Sequence, residues 1–159
     1  NTSDSTFVHV RLIFLNETRF STEFFAHHSK NPFRSFLQRD VIGFGTRISL
    51  DESTKLGIGV LTEDEEDLQG IETDTERLSM YFTDKYELAE NIDLLLTAYY
   101  QPSIDETDDY KASILMGVNF TVNENVDISL QFSSFYDSIP PEFADKQDEQ
   151  ISTEFSYSF

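Results

Sequence analysis

The sequence predicts an all-β fold, an antiparallel up-and-down transmembrane β-barrel. Three observations carry this: apolar and polar residues alternate along nearly the whole chain, the connections are alternately short and long, and aromatics gather where the alternating segments end. No stretch sustains the helical period. No apolar run approaches the ~20 residues a membrane helix needs, whereas barrel strands need only about 9–11.

Nine segments alternate. Val8, Val10, Leu12 and Phe14 oppose His9, Arg11 and Ile13 in the first, Phe7–Leu15. In Phe20–Ala26, Phe20, Phe24 and Ala26 oppose Ser21 and Glu23. In Val41–Leu50, Ile42, Phe44, Ile48 and Leu50 oppose Gly43, Gly45 and Arg47. Leu56, Ile58 and Val60 oppose Gly57 and Gly59; Leu78, Met80 and Phe82 oppose Arg77, Ser79 and Tyr81. Ile92–Tyr100, Tyr110–Phe120, Val126–Ser133 and Ile151–Phe159 repeat the pattern. Short turns are predicted at 16–18, 51–54 and 122–125, with a somewhat longer one at 83–91. Long polar connections are predicted at 27–40, 63–75, 102–109 and 137–147. Short on one rim and long on the other is the outer-membrane arrangement, with the long loops extracellular.

Alternation does not say which face is buried, and a soluble lipocalin-like barrel alternates too. The apolar face, however, offers about four bulky residues per strand, which would overpack the interior of a small barrel. The opposite face is small and polar, with scattered charges, and suits a narrow lumen. Phe24, Phe25, Tyr99, Tyr100, Tyr110, Phe135 and Tyr136 near one rim, and Phe14, Phe20, Phe82, Tyr86, Phe120, Tyr157 and Phe159 near the other, read as the two interfacial girdles. Lipid is therefore predicted outside.

The 159 residues form one domain, 1–159, with 30 acidic against 11 basic side chains and a net charge of −19. That balance argues against nucleic-acid partners, which need dense Lys and Arg. The 15 Phe and 7 Tyr argue against disorder. Without cysteine there are no disulfides, thiolate metal sites or cysteine nucleophiles. The count of nine is odd, while bacterial single-chain barrels are even-numbered, so one or more N-terminal strands are expected to be missing, for about 10–12 in the complete protein. A missed strand around Leu68–Ile71 or Tyr86–Leu88 is the plainer explanation.

From Phe25 onward, about four-fifths of the chain resembles the DUF481 family, outer-membrane barrels similar to the salt-induced outer-membrane protein. The resemblance lies in Asn31-Pro32-Phe33-Arg34 with Gly43-Phe44-Gly45, Glu76-Arg77-Leu78-Ser79, and Tyr100-Gln101-Pro102 with Asp109-Tyr110. It continues in Tyr136-Asp137-Ser138-Ile139-Pro140-Pro141 and the Ser156-Tyr157-Ser158-Phe159 end. It implies a barrel in the outer membrane and no established activity, catalytic residue or cofactor.

Three constellations bear on chemistry. His27 and Ser29 resemble the His-x-Ser element of outer-membrane lipid hydrolases, the imidazole serving as base for the hydroxyl; a solvated loop start is the plain alternative. Lys30, Arg34 and Arg39 would contact lipopolysaccharide phosphates. Asp64, Glu65 and Asp67, with Asp105 and Asp108, could take divalent cations, although their spacing fits no EF-hand and a charge run is usually a solvated face. The predicted lumen set is His9, Arg11, Glu23, Arg47, Arg77, Lys111, Asp127 and Glu154, of mixed sign and so paired. The sequence thus predicts an outer-membrane barrel of structural or narrow-pore type in contact with membrane lipid and lipopolysaccharide, with no cofactor. A lipid hydrolase, or a receptor or adhesin working through acidic loops, is the alternative; the sequence names no protein partner or oligomer.

Overall fold

The computed structural model of the protein describes residues 6–15, 19–31, 36–142 and 144–157. Nine strands follow one another: β1 (Thr6–Leu15), β2 (Phe20–Asn31), β3 (Phe36–Ser49), β4 (Lys55–Asp67), β5 (Glu72–Ala89), β6 (Ile92–Pro102), β7 (Tyr110–Asn123), β8 (Val126–Asp137) and β9 (Gln147–Tyr157). Each pairs antiparallel with its sequence neighbours in a single sheet, ordered β1 to β9. This is the up-and-down all-β architecture that the alternation predicts. The Ser156-Tyr157-Ser158-Phe159 end lies partly outside the described residues, as do Pro32, Phe33 and Arg34.

Away from the register shifts near the strand ends, the register places the odd-numbered positions of β1–β8 on one face, because Arg11 stands opposite Phe25, Glu23 opposite Gly45, Gly45 opposite Gly59, Gly57 opposite Tyr81, Tyr81 opposite Tyr99, Tyr99 opposite Ser113, and Ser113 opposite Phe135. Ser129 opposite Glu154 brings the even residues of β9 onto that same face. The sheet curls toward it, so that side chains from strands far apart in the order meet there. Tyr81 of β5 reaches Glu23 of β2, and Lys111 of β7 reaches Glu63 of β4.

Four inward glycines make the curl possible. Gly45 and Gly59 are directly paired, and a Cβ on Gly45 would lie 2.8 Å from the Gly59 Cα. The Phe25 ring covers Gly43 and the Tyr81 ring covers Gly57, each in the space a Cβ would fill. Large rings over glycine on the neighbouring strand fill a tight bend that two ordinary side chains would overfill.

Burial fixes which face meets which environment. Among the described residues only Val41, Leu61 and Tyr81 are buried hydrophobics, against eight buried polar or charged residues that include Glu23, Glu63 and Arg77. On the convex face Ile42 is 68 % exposed, Phe44 56 %, Ile58 54 % and Phe155 74 %. A water-soluble barrel would show the reverse, since soluble proteins rarely expose contiguous apolar patches beyond a few hundred Å². Polar inside and apolar outside is the order expected when lipid is the solvent.

The connections differ from the sequence reading in a consistent way. At the long-loop rim the strands run on past the apolar belt. β2 continues through His27, His28 and Ser29, β4 through Glu63–Asp67, and β5 begins at Glu72. The predicted long connections at 27–40 and 63–75 are therefore short, and the second is a tight turn with Gly70 at φ 80°. Leu68–Ile71 is that turn and Tyr86–Leu88 belongs to β5, so neither is a tenth strand among the described residues. β5 runs to Ala89, which leaves Glu90 and Asn91 to turn into β6. Polar runs look like loops in sequence, yet beyond the apolar belt the strands carry polar residues on both faces.

The aromatic girdle also needs one correction. Tyr100, Tyr110 and Tyr136 stack across the convex face with centroids 5.5 Å apart, as an interfacial belt requires. Phe25, Tyr99 and Phe135 have the inward parity and face the concave side.

Candidate functional site

The concave face holds two layers of ion pairs. In the layer deeper in the sheet, Glu23 lies between Arg11 and Arg47. Arg47 Nε is 2.6 Å from Glu23 Oε1 and donates to the Tyr81 hydroxyl at 2.8 Å, which in turn donates to Glu23 Oε2 at 2.8 Å. Arg11 Nη1 is farther from Glu23, at 3.9 Å, and its guanidinium packs 5.4 Å from the Tyr81 ring centre and 5.8 Å from that of Phe25. One carboxylate thus serves two guanidiniums, with aromatic faces supplying part of the second cation's stabilisation.

The second layer lies toward the long-loop rim and centres on Glu63, which is 2 % exposed. Arg39 Nε donates to Glu63 Oε2 at 3.1 Å, Lys111 contacts Oε1, and Arg77 Nε lies 3.6 Å away. Arg77 forks onto Asp109, Nη1 to Oδ1 at 3.0 Å and Nη2 to Oδ2 at 2.9 Å. Lys111 also donates to Glu65 at 2.8 Å and lies 3.5 Å from Asp137. Buried charge is tolerated only when paired, and each cation of this layer faces a carboxylate, although Arg77 Nε itself makes no hydrogen bond.

Above this layer is a cavity of about 220 Å³. Its floor includes Glu63, Arg77, Asp109 and Lys111, and Ile139, Pro140 and Pro141 form one wall. The connections around it are tied together. Ile104 N donates to Glu76 O at 2.8 Å, Ser138 N to Tyr110 O at 3.0 Å, Tyr110 N to Ser138 Oγ at 2.7 Å, and Gln69 Nε2 to Glu142 at 2.9 Å. The short motifs around Arg77, Pro102, Asp109 and Tyr136–Pro141, scattered in sequence, meet here as one latch at the rim.

All eight predicted lumen charges have the inward register. His9, Arg11, Glu23, Arg47, Arg77 and Lys111 join or border the two layers, while Asp127 accepts from Thr121 Oγ1 at 2.9 Å and Glu154 faces Ser129. Sequence reasoning missed Arg39, Glu63, Glu65, Asp109 and Asp137, all of which were assigned to loops. Parity carried onward from Gly57 and Gly59 through Leu61 would have placed Glu63 and Glu65 inside. Of the three cations predicted in the 27–40 connection, Arg39 pairs with Glu63 in β3, Lys30 lies in β2 and Arg34 lies outside the described residues.

His27 Nε2 does lie 3.0 Å from Ser29 Oγ. The pair is inward-facing, with the His27 ring against Phe7 and His9. His28, of the opposite parity, pairs with Asp40 at 2.6 Å. The carboxylates considered for cations separate. Asp64 stands on the convex side opposite Asp74, whose hydrogen bond and charge raise its pKa. Glu65 holds Lys111, Asp67 caps its turn by accepting from Gln69 N and Ile71 N, and Asp105 and Asp108 lie in the β6–β7 connection.

No curated protein matches the chain. Among solved structures the NanC porin is similar, with a TM-score of 0.52 at 10 % identity, over 96 % of this chain and 74 % of that one. At that identity the likeness speaks for the fold, a β-barrel of porin type. The family model DUF481, a protein family of unknown function, matches residues 1–159, so the likeness extends over the whole sequence and the chain belongs to that family.

Proposed function

We propose that the protein is an integral outer-membrane β-barrel of narrow-pore type, with the rim that carries the β6–β7 and β8–β9 connections at the cell surface and the short turns in the periplasm. Its partners are then membrane lipid and, at the outer rim, lipopolysaccharide. The observation that carries this reading is the inverted polarity: Glu23, Glu63 and Arg77 are buried while Ile42, Phe44 and Phe155 are exposed. Beside the two charged layers, the concave side of β6–β9 carries Ser113, Gly117, Ser129, Gln131, Ser133 and Ser152 together with Leu95, Leu115 and Phe135. Carboxylates outnumber cations around the rim cavity, which disfavours anionic solutes.

Among the described residues β1 pairs with β2 and β9 with β8. Planar-bilayer recording with the folded protein tests the pore reading. Small, cation-preferring conductance steps are expected; anion preference or complete silence would contradict it. Loss of lipid hydrolysis in Ser29→Ala would instead establish the hydrolase alternative.

A further inference from the structure

The cations of the rim layer are not alike. Arg77 is 3 % exposed and locked by its two-point fork on Asp109 and a further bond to the Gln101 carbonyl at 3.3 Å. Arg39 reaches only the strand beside its own, through Nε and Nη2 on Glu63. Lys111 is a point charge on a four-carbon stem. It leaves β7, crosses the concave side above β5 and β6, and ends against Glu63 and Glu65 of β4, with Asp137 of β8 at 3.5 Å. Three strand spacings of about 4.8 Å separate its root from its partners along the sheet, so its stem spans the concave face from β7 to β4 at this rim. The cavity of about 220 Å³ opens directly onto it.

We infer that Lys111 is the gating and selectivity residue of the pore: docked, its ammonium closes the rim and neutralises the carboxylates of Glu63, Glu65 and Asp137; displaced, it leaves them facing the path. The inference rests on the narrow-pore reading and specifies its solute class as small cations, which pass by competing with the ammonium for the same oxygens. Swinging this one side chain breaks no backbone bond and leaves Arg39 and Arg77 their carboxylates. Arginine at position 111 would dock more firmly, through a planar fork on a carboxylate.

The test is single-channel recording of the wild type, Lys111→Met and Lys111→Arg in potassium chloride, with heat-modifiable migration confirming that each is folded. Lys111→Met is expected to raise unitary conductance and shift the reversal potential in a salt gradient toward the cation limit, while Lys111→Arg stays at or below wild type. In the wild type itself, conductance divided by bulk conductivity is expected to rise with potassium concentration as the ammonium is displaced, a readout that needs no variant to fold. If the wild type conducts but Lys111→Met matches it in conductance and reversal potential, or the wild-type ratio stays flat with salt, the gate is refuted and the pore stands. If no form conducts, the pore reading falls and the gate with it.

Discussion

Replacing Glu63 by Gln removes the charge at the centre of the rim layer while keeping its shape. Breaking a buried ion pair by deleting one partner costs about 3–5 kcal/mol, because the other charge is left uncompensated. Here the stranded cations are partly covered. Arg77 keeps both bonds to Asp109, Lys111 keeps Glu65 at 2.8 Å, and only Arg39 falls back on a longer contact, 3.7 Å to Glu65. The expected loss is therefore at the lower end, about 3 kcal/mol. With a urea slope of about 1–3 kcal/mol per molar, the unfolding midpoint in detergent micelles should fall by about 1–3 M. Tyrosine fluorescence reads the transition, since the protein has 7 Tyr and no Trp. Glu149→Gln, at an exposed position of β9, is the control and should stay within about 0.5 kcal/mol. A Glu63→Gln midpoint indistinguishable from that control would show that the rim layer is open to water and contributes nothing as a paired network.

Two other perturbations probe the wall. Gly57→Ala puts a Cβ into the Tyr81 ring and should cost about 1–3 kcal/mol, with most of the loss absent when Tyr81→Ala is already in place; additive effects in that cycle would refute the ring-over-glycine packing. In the β3–β4 turn the Asp51 carboxylate accepts from Thr54 N at 2.7 Å, Ser53 N at 2.9 Å and Ser53 Oγ at 2.8 Å, which holds its pKa well below the usual range. A depressed folded value stabilises above the unfolded pKa and is lost as pH falls through the folded one. Asp51→Ala should therefore be destabilised at neutral pH and converge on wild type in strong acid, as read from denaturation midpoints across pH; a pH-independent gap would contradict it.

Much of the wall was legible because strand parity is a rigid rule: once Val8 and Val10 point out, His9 and Arg11 must point in. The same rule recovered Glu23, Arg47, Arg77 and Lys111 without any knowledge of their partners. It lapsed where the strands leave the apolar belt. Outside the belt both faces are polar, alternation disappears, and Glu63–Asp67 or His27–Arg39 look like loop. The rim layer was hidden for that reason, since three of its seven charges, Arg39, Glu63 and Glu65, come from those extensions. Cross-sheet pairings such as Tyr81 with Glu23, or Lys111 with Glu63, depend on how tightly the sheet curls, and sequence separations of 58 and 48 residues give no local signal. The glycines at 43, 45, 57 and 59 were visible on the inward face, but their role required knowing which rings lie over them.

The absence of cysteine allows single thiols to be placed one by one along β8, at Leu130, Gln131, Phe132 and Ser133, and labelled with an environment-sensitive fluorophore in bilayers. Positions 130 and 132 should be quenched by spin-labelled lipid chains, and positions 131 and 133 by a water-soluble quencher. The opposite assignment, with lipid reaching 131 and 133, or equal access to both quenchers at all four positions, would contradict a barrel whose apolar face meets the membrane.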